Sequence, residues 1–256
     1  MTLTRVIRSE WTKLWSLRST RWSLLLAFVA QAGIGPLAAA ITMAHWGQQG
    51  HLEIFNPIDR SLRGWTLAQL AVAVLGVMVV SGEYATGMIR SSLLAVPRRW
   101  PVLLAKIVVF AAVTLVLMLV AALIGFYVSQ AIFTQHHVNV TLAAPNAARA
   151  VVETALFTTF TGMFCIGLAA IIRRTAGGIA AFVALFFVLP GITGLLPTST
   201  VNAINPYLPT TIASTMTSAV TGGPHTFSAW GSGALLAGYA VAANLIGAAL
   251  LLRRDA

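Results

Sequence analysis

Few side chains inside the apolar stretches of this chain could do chemistry, and two of them stand out. Glu153 is the one acidic residue in a predicted membrane span. It follows Arg149 by one helical turn, a spacing that predicts a local ion pair at the outer membrane boundary. Contact with a substrate is the alternative role for Glu153, because ionisable groups at membrane depth are costly and therefore functional. Cys165, the lone cysteine, lies in an apolar run and is interpreted as a small buried side chain.

The sequence contains none of the common nucleotide-binding or metalloenzyme patterns. Its two lysines, Lys13 and Lys106, do not follow the glycine-rich spacing of a phosphate-binding loop, and no His-Glu-x-x-His pattern occurs. The histidines lack the spacing of a known metal site and are interpreted as solvated loop residues: His45, His51, His136, His137 and His225. We therefore expect the chain to bind no ATP, metal or other cofactor itself and not to be an enzyme.

Composition places the chain among multi-span membrane proteins. It is 58% hydrophobic and only 9% charged, against about 25% charged residues in soluble domains, and its mean hydropathy is +0.85. The formal net charge of +10 comes from basic residues scattered between apolar runs. Such a distribution indicates membrane topology rather than nucleic-acid binding, since no basic run accompanies a soluble fold.

Six apolar segments approach the length of about 20 residues that a helix needs to cross the hydrocarbon core. We therefore predict an all-α integral membrane protein with six spans, at about 22–43, 62–81, 101–133, 150–172, 178–196 and 230–252. Of the 16 Lys and Arg residues, a cytoplasmic N-terminus leaves only Arg60, Arg63 and Arg149 outside. Both termini of this multi-pass plasma-membrane protein are thus expected in the cytoplasm.

The first 21 residues have the pattern of an amphipathic helix. Leu3, Ile7, Trp11, Leu14 and Trp15 fall on one arc, although Glu10 and Arg18 intrude on it. Residues 1–21 are therefore predicted to form an interfacial helix, with basic residues bound to anionic membrane lipid. An ordinary charged tail before the first span is the alternative.

The second charged interval, residues 81–106, separates two apolar runs. A helix starting at Glu83 would carry Glu83, Thr86 and Arg90 on a polar side. Pro97 would end this helix before Pro101 begins the next one. We expect a short surface helix that offers its polar side to a cytoplasmic partner.

These features together resemble the membrane subunit of type-2 ABC exporters, especially compact permeases of actinobacterial kind. The residues that carry the resemblance are 9–19 (SEWTKLWSLRS), Gly82-Glu83-Tyr84, Gly87, Ile89-Arg90, Leu93, Ala95, Pro97-Arg98-Arg99, Ala105-Lys106 and Tyr207-Leu208-Pro209. The spacing from Glu-x-x-x-Gly to Pro-Arg is the most specific part.

The resemblance implies one permease domain, 1–256, in which 1–21 is an elbow helix, 82–100 a coupling segment and 197–229 an extracellular re-entrant segment. It assigns ATPase coupling to Glu83, Gly87, Arg90, Pro97, Arg98 and Arg99. It assigns the extracellular gate to Asn205, Pro206, Tyr207, Pro209 and Thr210. For 197–229, a plain disordered loop is the alternative.

The resemblance also implies partners and a function. Two ABC ATPase subunits would bind ATP and Mg, and a second permease copy would complete a homodimer. The complex would export a hydrophobic or amphiphilic compound, such as a drug, antibiotic, peptide or lipid-like molecule. Two alternatives stay open: a sensor or scaffold subunit without net export, and a membrane-embedded hydrolase.

Overall fold

The computed structural model describes residues 3–46, 55–85, 87, 100–220, 223 and 226–253. Within these ranges the chain is mainly helical and has no strand. The α-helices are α1 (Leu3–Ser16), α2 (Arg18–Ala44), α3 (Pro57–Leu62), α4 (Trp65–Ala85), α5 (Trp100–Phe133), α6 (Ala147–Ile172), α7 (Thr175–Val183), α8 (Leu189–Thr193), α9 (Thr198–Ile204), α10 (Pro209–Thr217) and α11 (Ala229–Arg253).

Six helical stretches in the described ranges are long and apolar enough to cross a membrane. They are span 1 (Arg18–Ala44), span 2 (Pro57–Ala85), span 3 (Pro101–His136), span 4 (Ala147–Ile172), span 5 (Thr175–Thr193) and span 6 (Ala229–Leu251). The prediction of an all-α protein with six spans is confirmed. The largest shifts of boundary are in span 2, which was predicted to run only from about residue 62 to 81.

Span 2 begins early because a strong helix start precedes its apolar core. The Asn56 side-chain oxygen accepts hydrogen bonds from the backbone N–H groups of Ile58, at 2.9 Å, and Asp59, at 3.3 Å, and Pro57 occupies the first turn. The span then breaks between α3 and α4. There Gly64 lets the backbone of span 1 approach, since a Cβ atom at this position would lie 2.3 Å from the Gln31 carbonyl oxygen.

Span 4 forms the centre of the bundle. Of its most apolar 18-residue stretch, 61% is buried, against 17% for span 5. Glycines bring its neighbours close: a Cβ atom on Gly76 of α4 would lie 2.4 Å from the Gly162 carbonyl oxygen of α6. On the other side of α6, a Cβ atom on Gly167 would lie 2.6 Å from the backbone of Ala243 in α11. Small residues thus set the distances between these helices.

Span 5 contains one turn of π-helix, Ala184–Val188, between α7 and α8. Pro190 stands in the first turn of α8 and has no N–H group to donate to the preceding turn. The wider π turn accommodates this proline within a continuous helical span.

The region after span 5 folds into two short helices, α9 and α10, joined by a 3₁₀ turn at Asn205–Tyr207. Ile212, Ala213 and Met216 of α10 are buried and belong to the main hydrophobic core. Helix α10 therefore packs against the bundle, whereas no residue of α9 is buried. The helices at 198–204 and 209–217 disagree with a plain loop in this part of the segment.

Candidate functional site

Helix α1 packs against the bundle through a stripe in which Glu10 lies between two apolar residues. Val6, Glu10 and Leu14 follow one another at four-residue spacing, and all three are buried. The intrusion of Glu10 into the apolar arc, visible in the sequence, is therefore a real feature of the buried face. A buried carboxylate requires a partner.

Four charged side chains from three helices form a closed ring at this end of the bundle, which we call the charge ring. Lys13 Nζ lies 2.7 Å from Glu10 Oε1 and 2.9 Å from Glu83 Oε1. Lys106 Nζ lies 2.6 Å from Glu10 Oε2 and 2.7 Å from Glu83 Oε1. Each ammonium thus contacts both carboxylates, and each carboxylate contacts both ammonium groups.

The charge ring is largely withdrawn from solvent. Glu10, Glu83 and Lys106 are each only 5% exposed, whereas the Lys13 side chain is 30% exposed. Burial alone would lower the pKa of Lys13, but hydrogen bonds and charge attraction from Glu10 and Glu83 outweigh it and raise that pKa above the ordinary 10.5. Lys13 therefore stays protonated at physiological pH.

The position of Glu83 corrects one expectation from the sequence. This residue was predicted on the exposed polar side of a surface helix, but it lies in the last turn of α4 and faces Lys13 and Lys106. It continues the buried face of α4 that includes Gly76 and Val80, because span 2 extends beyond residue 81. Its carboxylate therefore contacts the permease interior.

The charge ring brackets the predicted coupling segment, 82–100. Glu83 stands near its start and Lys106 lies shortly after its end. Gly87 has a left-handed backbone (φ +72°) just after α4, a conformation that glycine adopts without strain. The other residues assigned to coupling, Arg90, Pro97, Arg98 and Arg99, lie outside the described residues.

A second set of contacts joins helices at the same end of the bundle. The Arg173 guanidinium lies 5.2 Å from the centroid of the Tyr84 ring, in cation–π geometry, and donates to the Leu250 carbonyl oxygen at 3.4 Å. The Thr175 hydroxyl lies 2.9 Å from that of Ser81. Spans 2, 4, 5 and 6 are thus tied together next to the charge ring.

The residues assigned to the gate lie together at the opposite, distal end. Asn205 Oδ1 accepts a hydrogen bond from the Thr211 hydroxyl at 2.8 Å, which fixes the turn to the start of α10. Tyr207 is half exposed, stacks edge-on against Phe227, and accepts a hydrogen bond from Tyr239 through its carbonyl oxygen. Pro206 and Pro209 are partly buried, and Thr210 is exposed.

The end of α10 is held by hydrogen bonds between residues far apart in the chain, which the sequence did not predict. Asp59 accepts hydrogen bonds from the Ser218 hydroxyl, at 2.8 Å, and from the Ala219 N–H group, at 2.7 Å. Arg149 donates to the Ser218 carbonyl oxygen at 2.7 Å, and Asn146 donates to that of Ala219 at 3.0 Å. We call this arrangement the distal clamp.

The ion pair predicted from local spacing is confirmed, since Arg149 Nη1 lies 3.0 Å from Glu153 Oε2. The pair is less exposed than one at the headgroup level would be, because the Glu153 side chain is fully buried in the protein. Cys165 is also fully buried, as the sequence predicted. Within the described ranges, no three His, Cys, Asp or Glu residues come together as a metal site.

Comparison with known families decides the class of protein. The sequence model described as "ABC-2 family transporter protein" matches residues 6–191, well over half of the chain. The chain belongs to the ABC-2 transporter family. It is thus a multi-pass plasma-membrane permease subunit of an ABC transporter, of a kind that works with an ABC ATPase. Comparison with curated protein sequences finds no match.

The family match covers the whole charge ring but only part of the distal end. All four residues of the charge ring fall within 6–191, as do Asp59 and Arg149 of the distal clamp. The helices α9 to α11, and with them the residues assigned to the gate, lie beyond the match. The charge ring therefore lies entirely within the matched part of this permease, whereas the distal clamp and the residues assigned to the gate do not.

Proposed function

We propose that this permease exports a hydrophobic or amphiphilic compound from the cell, driven by ATP and Mg bound to two separate ABC ATPase subunits. Two copies of the chain form the translocation pathway as a homodimer, with all termini in the cytoplasm. The coupling segment contacts the ATPase, and α9 and α10 act as the exit gate. The almost uniformly apolar spans support a substrate with substantial apolar surface.

The observation that carries this proposal is the charge ring, because it joins α1 to the two helices that flank the coupling segment. A force applied to residues 82–100 reaches α4 through Glu83 and α5 through Lys106, and both residues share Glu10 and Lys13 of α1 as neighbours. Helix α1 therefore moves with the start of span 3 and the end of span 2. For this movement to switch the permease between two states, the contacts of α1 must differ between those states.

The homodimer is supported by the exposed apolar surface of span 5. Phe187 and Ile192 are about half exposed, and Leu195 just beyond the span is 84% exposed. Such side chains suit contact with a second permease copy or with lipid. In the homodimer, a face of span 5 would be covered by the other subunit.

The experiment is purification of the tagged chain together with the ATP-binding subunits of its host, followed by native mass spectrometry. We expect a complex of two 27.0 kDa permeases and two ATPases. A stable permease assembly that never retains an ATPase would contradict the proposal.

Transport itself is tested in inside-out membrane vesicles with a panel of fluorescent amphiphiles. Export predicts ATP-dependent accumulation of at least one probe, and a matched vesicle lacking this chain serves as the control. A complex that hydrolyses ATP and binds probes without accumulating any would favour the sensor or scaffold function.

A further inference from the structure

A cleft of about 560 Å³, which we call the distal cleft, lies between span 1, the start of span 2 and α10. The residues that line it include Ile34, Ala38, Asp59, Arg63, Thr66 and Ser214. Ala38 precedes the end of α2 at Ala44 by six residues, which is about 9 Å along the helix axis. The cleft is therefore recessed below the end of span 1, and charged groups at such a depth need water or a ligand.

Arg63 supplies the cationic side of the distal cleft. It directly follows α3 and is exposed, and its guanidinium has no hydrogen-bond or ion-pair partner in the part of the chain that the structure describes. Arg60, one turn earlier, adds a second positive charge nearby. A guanidinium group presents five N–H donors and no acceptor, and it binds phosphate oxygens two at a time. This side therefore favours an anionic group.

The other polar groups of the distal cleft are acceptors. Asp59 contributes a carboxylate. The Thr66 hydroxyl donates its only hydrogen to the Arg63 carbonyl oxygen at 2.9 Å, and the Ser214 hydroxyl donates to the Thr211 carbonyl oxygen at 2.9 Å. In this arrangement both hydroxyl oxygens can only accept further hydrogen bonds. This side therefore favours a cationic group that carries N–H donors.

A zwitterion suits both sides of the cleft, whereas a simple ion does not. An anion would be repelled by Asp59 and would leave the hydroxyl acceptors without a donor, and a cation would be repelled by Arg60 and Arg63. Asp59 and Arg63 are four residues apart, and side chains at this spacing on a helical turn lie about 5–6 Å apart at their Cβ atoms. A phosphate and a primary ammonium joined by two methylene groups have a similar separation.

We propose that the distal cleft binds a membrane lipid with a phosphoethanolamine headgroup. The phosphate contacts the Arg63 guanidinium, and the ammonium lies near Asp59 and donates hydrogen bonds to the Thr66 and Ser214 hydroxyls. The volume of the cleft equals that of about 19 water molecules at about 30 Å³ each, which is room for this headgroup and the start of its acyl chains.

The apolar wall of the cleft gives the acyl chains a path to the bilayer. Ile34 and Ala38 lie one turn apart on span 1, and the neighbouring Leu37 and Ile41 are 60% and 52% exposed. The chains therefore leave the cleft along span 1 toward its exposed apolar face. Binding is a property of this chain alone and does not depend on the direction of transport or on the ATPase.

The test uses the full chain in phosphatidylcholine nanodiscs with photoactivatable lipids that share one diazirine-bearing acyl chain. Their headgroups are phosphoethanolamine, phosphocholine and phosphoglycerol. Phosphocholine keeps both charges but has no N–H donor, and phosphoglycerol keeps the phosphate without a cation. Crosslinked residues are located by peptide mass spectrometry. We expect the phosphoethanolamine lipid to label peptides containing Ile34 and Ala38 about tenfold more than the other lipids, which is the effect of one good hydrogen bond.

A pair of arginine substitutions gives the matched control. Arg63→Gln removes the phosphate contact and should reduce labelling by the phosphoethanolamine lipid about tenfold. Arg60→Gln makes the same change of charge one turn away, at a residue that does not line the cleft, and should leave labelling unchanged. Thermal unfolding of each variant reports whether it is folded, and the headgroup comparison on the unaltered chain decides the question if Arg63→Gln is not.

A soluble competitor distinguishes a lipid from a free headgroup. Glycerophosphoethanolamine has the same polar group without acyl chains, and at a concentration equal to that of the labelled lipid it should not reduce labelling. Displacement by this competitor would overturn the assignment of a lipid.

Other results would overturn recognition of the headgroup. Equal labelling by the lipids would show a nonspecific crevice, and strongest labelling by the phosphoglycerol lipid would show a plain anion site. Equal loss of labelling in the two arginine variants would show general attraction to a basic surface and would contradict a contact with Arg63.

Discussion

At the scale of single residues, the charge ring explains why two of the chain's few acidic residues lie away from solvent. Removing both members of a buried ion pair can be nearly neutral, whereas removing one leaves a buried charge without its partner. Glu10, Glu83 and Lys106 are buried, so each would be left as a buried charge if its partners were removed. Lys13 is more exposed, so water can solvate part of its ammonium group in place of a carboxylate. The two lysines should therefore differ in their effect on stability.

Lys106→Met is expected to destabilise the permease by about 3–5 kcal/mol, because two buried carboxylates lose the ammonium group that they share. Lys13→Met should cost about 1 kcal/mol, since its side chain is partly solvated and Lys106 continues to pair both glutamates. Unfolding of the two purified variants in the same detergent measures the difference. Equal destabilisation would contradict the ring geometry.

Only part of this site could be predicted from the sequence. The pair of Arg149 and Glu153 was predicted because it is local, one turn apart on one helix. The charge ring joins residues up to 96 positions apart, and no periodicity shows that Glu10 and Lys106 meet. The one local signal was that Glu10 interrupts the apolar arc of α1, which is typical of a buried charge with a distant partner.

At the scale of helices, close packing depends on glycines that have almost no free space around them. The spans and most of their ends could be predicted from apolar length, but the distances between helices could not, because glycine is common throughout membrane helices. The positions of Gly76 and Gly33 illustrate the difference. The former faces the backbone of α6, and the latter has no atom within 4 Å of an added Cβ.

Gly76→Ala is expected to force α4 and α6 apart and to destabilise the chain by about 1–3 kcal/mol. Gly33→Ala in α2 is the matched control and should be neutral or stabilising by up to about 1 kcal/mol, because alanine has the higher helix propensity. Thermal unfolding in detergent compares the two. A Gly76→Ala variant as stable as Gly33→Ala would contradict the packing described for span 4.

The distal clamp gives a prediction about local opening. Asp59→Ala removes two hydrogen bonds to the end of α10, and hydrogen bonds to a charged group contribute about 1.5–3 kcal/mol. The backbone amide of Ala219 should then exchange with deuterium about 10- to 100-fold faster.

The control for this exchange measurement is Arg60→Gln, which changes the adjacent charge and leaves both hydrogen bonds of Asp59 in place. Its exchange rate at Ala219 should match that of the unaltered chain. Unchanged exchange in Asp59→Ala would mean that other contacts hold the end of α10.

At the scale of the whole molecule, two polar arrangements lie at opposite ends of an apolar bundle. The charge ring ties α1 to the two helices that flank the proposed coupling segment, and the distal clamp ties α10 to the starts of spans 2 and 4. Spans 2 and 4 run between the two ends and pack closely at Gly76 and Gly162. A displacement at the ring can therefore reach the distal end through rigid helices.

The most direct measurement of this coupling is the labelling rate of a cysteine introduced by Thr210→Cys in the permease–ATPase complex, with and without ATP. Thr210 is exposed at the distal end, and the native Cys165 is fully buried and so contributes no background. The second sample adds Glu83→Gln and Lys106→Met, which neutralise one acid and one base of the charge ring together.

With the ring intact, we predict that ATP changes the labelling rate at position 210. With the ring neutralised, ATP hydrolysis should continue while the labelling rate no longer responds to ATP. The exposed Arg8→Gln substitution on α1 serves as the control and should behave like the intact ring. A full ATP response in the folded, ring-neutralised complex would contradict the claim that the charge ring couples the ATPase to the permease.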